Sequence, residues 1–144
     1  MNKKTMNPQS PNSPNPSNLN GKFTCCLNCI DGRIQLPVIN WIKNNYDIEF
    51  VDMLTQPGMD GFIANPDSDL NDLLEKIHIS LRVHDCQEIF LVAHEDCAAN
   101  PVDFETHRKQ LFDSTEKIKN HFPSSKIIGI WINLDGRGKI IIEK

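Results

Sequence analysis

Residues 91–97 read LVAHEDC. The apolar first half continues a run that begins at Glu88, and its length is typical of a buried β-strand. The polar second half places an imidazole on His94 and a thiol on Cys97 directly after that predicted strand. Imidazole and thiolate are both groups that bind zinc in proteins. The carboxyl end of this strand is therefore the first candidate for a functional site.

A second stretch of the same kind occurs earlier in the chain. Residues 29–33 read CIDGR, and they follow the apolar run KFTCCL at 22–27, which also predicts a strand. Cys29 would add a second thiol to the set. Catalytic zinc sites have three protein ligands and keep a fourth position for water or substrate, whereas structural sites are normally closed by four. The two stretches together indicate an open metal site.

The rest of the chain alternates between predicted strands and helices. Further strands are expected at 47–54, 126–133 and 139–143, and helices at 34–45, 69–83 and 102–121. Ser68 is suited to be the N-cap of the second helix, and turn signals predict a loop at 55–61. Strands that alternate with helices imply right-handed crossovers and a mostly parallel sheet with helices on both faces.

The predicted fold class is therefore α/β, with five strands in the order 2-1-3-4-5 and an antiparallel last strand. In such sheets, ligands bind beyond the carboxyl ends of the strands, at the position where the strand order reverses. The first and third strands flank that position. We therefore expect Cys29 to meet His94 and Cys97 there, although they are far apart in the sequence.

The two motifs together resemble those of the β-class carbonic anhydrases, particularly the small single-domain forms. The similarity rests on Cys29-x-Asp31-x-Arg33 followed by His94-x-x-Cys97, and it covers the chain after its Asn- and Pro-rich start. The resemblance implies that Cys29, His94 and Cys97 bind Zn²⁺. It also implies that Asp31 and Arg33 form the family's carboxylate–guanidinium dyad, and that the chain is a homodimer or a higher homo-oligomer.

The activity that this resemblance implies is the reversible hydration of carbon dioxide to bicarbonate by a zinc-bound hydroxide. Zinc lowers the pKa of its bound water to about 7. A carboxylate at Asp31 would orient the hydroxide, and Arg33 would hold Asp31 ionised through a bidentate pair. In this family, loss of the pair also makes it possible for Asp31 to occupy the fourth zinc position and switch the site off.

Several departures from the family pattern surround these residues. Gly32 stands where Ser is usual, and Ala98 stands where Gly is usual. Residues 55–58 read TQPG in place of the family's Arg-Asn-Ala-Gly. The last departure favours a catalytically silent zinc-binding domain, whereas the retained Asp31 and Arg33 oppose it. Hydrolysis of carbonyl sulfide or carbon disulfide is a further alternative, because it would require only a different tunnel.

Structural interpretations compete with each of these assignments. Cys29 and Cys97 could be buried free thiols, and Asp31 and Arg33 could be a helix N-terminal carboxylate with a surface partner. The remaining cysteines are expected in the core, as are the two tryptophans, at Cys25, Cys26, Cys86, Trp41 and Trp131. The remaining histidines lie in or beside predicted helices and are expected to face solvent, at His78, His84, His107 and His121.

Composition limits the other classes of function. Residues 1–20 contain four Pro and six Asn and are expected to be a disordered tail, outside a zinc-binding domain at 21–144. A net charge of −4 argues against nucleic-acid binding. No apolar run approaches the roughly 20 residues that span a bilayer, and no signal peptide is evident. The expectation is a soluble, cytoplasmic protein with reduced cysteines.

Overall fold

The computed structural model of the chain describes residues 21–144, so the predicted disorder of 1–20 lies outside the described residues. The strands are β1 (Phe23–Cys29), β2 (Phe50–Gln56), β3 (Glu88–His94), β4 (Lys126–Ile132) and β5 (Gly138–Glu143). The helices are α1 (Gln35–Asn45), α2 (Met59–Ala64), α3 (Asn71–His84) and α4 (Phe104–His121). Among residues 21–144, no helix is long and apolar enough to cross a membrane.

The five strands form one sheet in the order β2-β1-β3-β4-β5. The first four strands are parallel and β5 is antiparallel, so the predicted fold class is confirmed. The pairing of β1 with β3 ends at Leu27 and Leu91, whereas β1 stays paired with β2 as far as Cys29. The two central strands therefore separate at their carboxyl ends, where the strand order reverses.

Helices cover both faces of the sheet. Side chains alternate between the faces along each strand, so Leu27 belongs to one buried cluster and Cys26 to the other. The first cluster is closed by α2, α3 and α4, and the second by α1. Burial on both faces explains the continuous apolar runs of the central strands. The predicted core positions of Cys25, Cys26 and Cys86 are confirmed.

Two local predictions were wrong near α2 and α3. The 55–61 stretch was predicted to be a loop, but α2 begins within it at Met59. Gly58 precedes that helix in the left-handed conformation, which lets the chain reverse and bury Met59 against the sheet. Ser68 is not the N-cap of α3, because the helix begins at Asn71 and the Asp69 side chain accepts the Asn71 N–H instead.

Two histidines were wrongly expected to face solvent. His107 is 2% exposed and contacts the Asp60 carboxylate, and His84 is half-buried beside Asp52. Apolar periodicity does not locate these two histidines, because the Asp60 and Asp52 carboxylates supply hydrogen-bond partners that draw their rings out of solvent.

Replacement of the same residue type inside and outside the core tests this description of the fold. Leu91→Ala removes a fully buried side chain from the central strand and should lower the free energy of unfolding by about 2–5 kcal/mol. Leu36→Ala alters a side chain that is 64% exposed and should change it by less than about 0.5 kcal/mol. Urea denaturation measures both, and equal losses would contradict the burial described here.

Candidate metal centre

Three side chains from distant parts of the sequence converge beyond the carboxyl ends of the central strands. The ligand atoms of Cys29, His94 and Cys97 all lie within 4.8 Å of one another. Each of the three residues is at most 4% exposed. The structure therefore brings together the three residues that the sequence analysis singled out.

The strands and one sharp turn position these groups. Cys29 is the last residue of β1 and His94 is the last residue of β3. The chain then reverses through Asp96, whose φ of 56° is left-handed, and this turn returns Cys97 toward His94. The Asn100 N–H donates to the Cys97 carbonyl at 3.3 Å and closes the turn.

The spacing of the two sulfur atoms fits a tetrahedral zinc site. The Cys29 and Cys97 Sγ atoms lie 3.9 Å apart, which is too far for a disulfide. Two thiolates that bind one tetrahedral zinc ion at 2.3 Å each would lie roughly 3.8 Å apart. The pair therefore has the separation that a shared metal ion requires.

The His94 ring offers a nitrogen lone pair to the same site. Its Nδ1 donates to the Glu95 carbonyl at 2.7 Å, so the neutral ring carries its lone pair on Nε2. That Nε2 atom is buried, and within residues 21–144 it has no hydrogen-bond partner. A buried polar atom without a partner is costly, and a metal ion would satisfy it. The donor set therefore fits zinc.

The two cysteine sulfurs of the centre have different surroundings. Burial, reinforced by the neighbouring Cys29, raises the pKa of the Cys97 thiol to about 11. The Gly58 N–H points at the Cys29 sulfur at 3.4 Å. A bound cation would reverse the effect of burial, because coordination deprotonates a thiol.

Asp31 and Arg33 form an ion pair at the rim of the centre. The Arg33 Nη2 lies 2.7 Å from Asp31 Oδ2, and Arg33 Nε is 3.1 Å from both carboxylate oxygens. Hydrogen bonds from the Arg33 side chain and backbone lower the pKa of Asp31 to about 2. Arg33 Nη1 also donates to Asp96 Oδ2 at 3.1 Å. One guanidinium therefore connects the loop after β1 to the loop after β3.

Several residues that the sequence analysis did not single out support this arrangement. The Gln35 side chain donates to the carbonyls of Cys29 and Asp31 at 2.7 and 2.9 Å. Asp96 accepts a hydrogen bond from Arg33, and the Gly58 N–H donates to the Cys29 sulfur. The Pro-Gly pair at 57–58 and the acidic residue before Cys97 were visible in the sequence, but neither motif shows which side chain it will contact.

Comparisons with known proteins agree with this fold. Residues 19–142 match a family model described as "Putative carbonic anhydrase". No curated protein sequence matches the chain.

Similar solved structures show the same fold at low sequence identity. A carbonic anhydrase from Streptococcus mutans is 18% identical with a TM-score of 0.61, over 86% of this chain and 84% of that chain. The β-carbonic anhydrase isoform I of the protozoan Trichomonas vaginalis is 16% identical with a TM-score of 0.56, over 84% and 81%. A β-carbonic anhydrase from the ascomycete Sordaria macrospora is 12% identical with a TM-score of 0.50, over 86% and 82%.

The family model spans most of the chain, and the neighbouring structures share its fold. The chain therefore belongs to the putative carbonic anhydrase family that this model describes, with the fold of the β-carbonic anhydrases.

Proposed function

We propose that this chain is a zinc-dependent carbonic anhydrase that catalyses the reversible hydration of carbon dioxide to bicarbonate. The observation that carries the proposal is the buried Nε2 of His94, which has no protein partner in the described part of the chain and lies beside two cysteine sulfurs. The side chains of Cys29, His94 and Cys97 would hold the metal ion. Zinc in a three-ligand site supplies a water molecule whose pKa is lowered to about 7.

Asp31 would orient the attacking water. Hydration joins the water oxygen to the carbon of carbon dioxide and releases one proton to solvent. A carboxyl group whose pKa is about 2 stays ionised at neutral pH and is a weak base. Its role is therefore to accept a hydrogen bond and fix the direction of the water lone pair, rather than to carry the proton away. Arg33 keeps the carboxylate charged and in place.

The burial of the centre suits a very small, uncharged substrate. The three ligand residues are at most 4% exposed, whereas the Asp31 side chain at the rim is 18% exposed. Access on the side of Asp31 would bring the substrate past the group that orients the water. Bulky substrates would have to displace packed side chains.

We also propose that the chain forms a homodimer or higher homo-oligomer and works in a reducing compartment such as the cytoplasm. Ile30, directly before Asp31 in the sequence, is 55% exposed, and a second subunit would cover it. The enzymes from Sordaria macrospora are described as tetrameric. The five cysteines of the described chain are free thiols, which supports a reducing compartment.

The first test is carbon dioxide hydration, with Asp31→Asn as the informative variant. This change removes the charge that orients water, and kcat should fall by about 10²-fold while zinc content is unchanged. Stopped-flow assays on samples with measured zinc content report both. Asp135→Asn is the matched control, because Asp135-Gly136-Arg137 repeats the Asp-Gly-Arg sequence and its Arg–Asp contacts away from the centre.

The outcomes separate the candidate functions. Turnover in the wild type and in Asp135→Asn, but not in Asp31→Asn, supports the proposal. Bound zinc without carbon dioxide hydration would overturn it, and assays with carbonyl sulfide and carbon disulfide would then distinguish another hydrolase from a silent zinc-binding domain.

Zinc binding itself should release protons. The raised pKa of Cys97 means that the thiol is protonated in the metal-free protein at pH 7, and zinc binds only the thiolate. We expect at least one proton to be released for each zinc ion bound, and zinc affinity to fall as the pH is lowered. Calorimetric titrations in buffers of different ionisation enthalpy measure the proton count, and a binding heat independent of the buffer would contradict this expectation.

A further inference from the structure

A buried polar cluster lies next to the metal centre. It consists of Asp60 on α2, Asn100 in the turn after Cys97, and His107 on α4, which are 2%, 9% and 2% exposed. The His107 Nδ1 lies 2.5 Å from one Asp60 carboxylate oxygen, and the Asn100 amide donates to the other oxygen at 3.0 Å. A buried carboxylate is tolerated only when its oxygens have such partners.

Further hydrogen bonds tie this cluster to α4. The Asn100 amide also donates to Gln110 Oε1 at 2.7 Å, and the Ser114 hydroxyl donates to the Asp60 carbonyl at 2.8 Å. Replacing buried, mutually bonded polar groups by apolar residues is often neutral or stabilising. Stability alone is therefore a weak reason for a chain to keep this polar cluster.

The cluster contacts the turn that carries Cys97 and the segment whose N–H donates to the Cys29 sulfur. On one side, the Asn100 N–H closes the turn that holds Cys97. On the other side, Gly58 precedes α2 and its N–H donates to the Cys29 sulfur at 3.4 Å. A Cβ atom on Gly58 would lie 2.9 Å from the Asn100 Cβ, and one on Gly61 would lie 2.8 Å from its amide nitrogen. Asn100 therefore packs directly against the start of α2.

We propose that Asp60, Asn100 and His107 form a positioning network for the metal centre. The network holds α2 against the turn after Cys97, so that the Gly58 N–H stays on the Cys29 sulfur. The inference rests on the proposed function in taking Cys29 as a metal ligand. The three residues position the centre without supplying a metal ligand themselves.

The physical effect follows from the hydrogen bond to sulfur. An N–H group that donates to a thiolate stabilises its charge and fixes its direction. Loss of such outer hydrogen-bond partners typically lowers metal affinity by about 10–100-fold. Gly58 has no side chain and donates through its backbone N–H. No substitution at Gly58 therefore removes this hydrogen bond cleanly. The network that positions it is the accessible target.

Asn100→Ala is the central variant, and Thr24→Val is its matched control. The first should lower zinc affinity by about 10–100-fold and shift the thiolate-to-metal absorption band of the cobalt-substituted protein. Thr24 is fully buried and donates to the Glu88 carbonyl at the opposite end of β1. Thr24→Val should therefore alter stability but leave zinc affinity and the cobalt spectrum unchanged.

A second pair of variants tests the network where Asn100→Ala fails to fold. His107→Asn keeps a nitrogen donor near the position of the His107 Nδ1, whereas His107→Leu leaves the Asp60 oxygen without that partner. We expect the Asn variant to retain zinc more tightly than the Leu variant. Equal zinc affinities and identical cobalt spectra in the wild type and in each folded network variant would overturn the proposal.

The test also separates this proposal from the proposed function. If the wild type binds no zinc, the zinc proposal fails, and the network is then tested on the metal-free protein. Asn100→Ala should accelerate iodoacetamide alkylation of Cys29 at least about tenfold relative to Cys26, because α2 no longer covers the sulfur. Unchanged alkylation of Cys29 would overturn the network. If the protein does not hydrate carbon dioxide, the zinc affinities with the cobalt spectra and the alkylation of Cys29 still test the network.

Discussion

The parallel pairing of β1 with β3 is the constraint on which the rest of the site depends. The two strands are hydrogen-bonded only as far as Leu27 and Leu91, while each stays paired with its other neighbour to its end. The gap between them receives Cys29 from one strand and His94 from the other. Helical crossovers connect these parallel strands, so the donors meet only when the sheet has formed.

The centre combines buried donors with a charged rim, and the two environments move pKa values in opposite directions. Burial raises the pKa of the Cys97 thiol, whereas Arg33 lowers that of the Asp31 carboxyl. At neutral pH the metal-free site therefore keeps the Cys97 thiol neutral and the Asp31 carboxylate charged. Groups of different charge can lie at the same site because one is enclosed and the other reaches solvent.

The sheet order and the residues of the candidate centre could be predicted from the sequence because they depend on short, local patterns. Apolar runs fixed the strands, and the donors directly followed two of them. His107 could not be assigned correctly, because its partner Asp60 lies on α2. The Pro-Gly pair before α2 predicted a loop there instead of a helix. The Asp-Gly-Arg sequence occurs twice, and only its place after Cys29 distinguishes the dyad from a surface turn at Asp135.

The two cysteine sulfurs, which lie 3.9 Å apart, belong to a donor set whose chemistry has a consequence for metal choice. Two thiolates and one imidazole make a soft donor set, which disfavours magnesium and calcium, since both prefer oxygen ligands. The same softness does not distinguish zinc from copper(I), which also prefers thiolates. Selection between these two metals would depend on which one the cell supplies, so copper-rich surroundings would be a hazard to this centre.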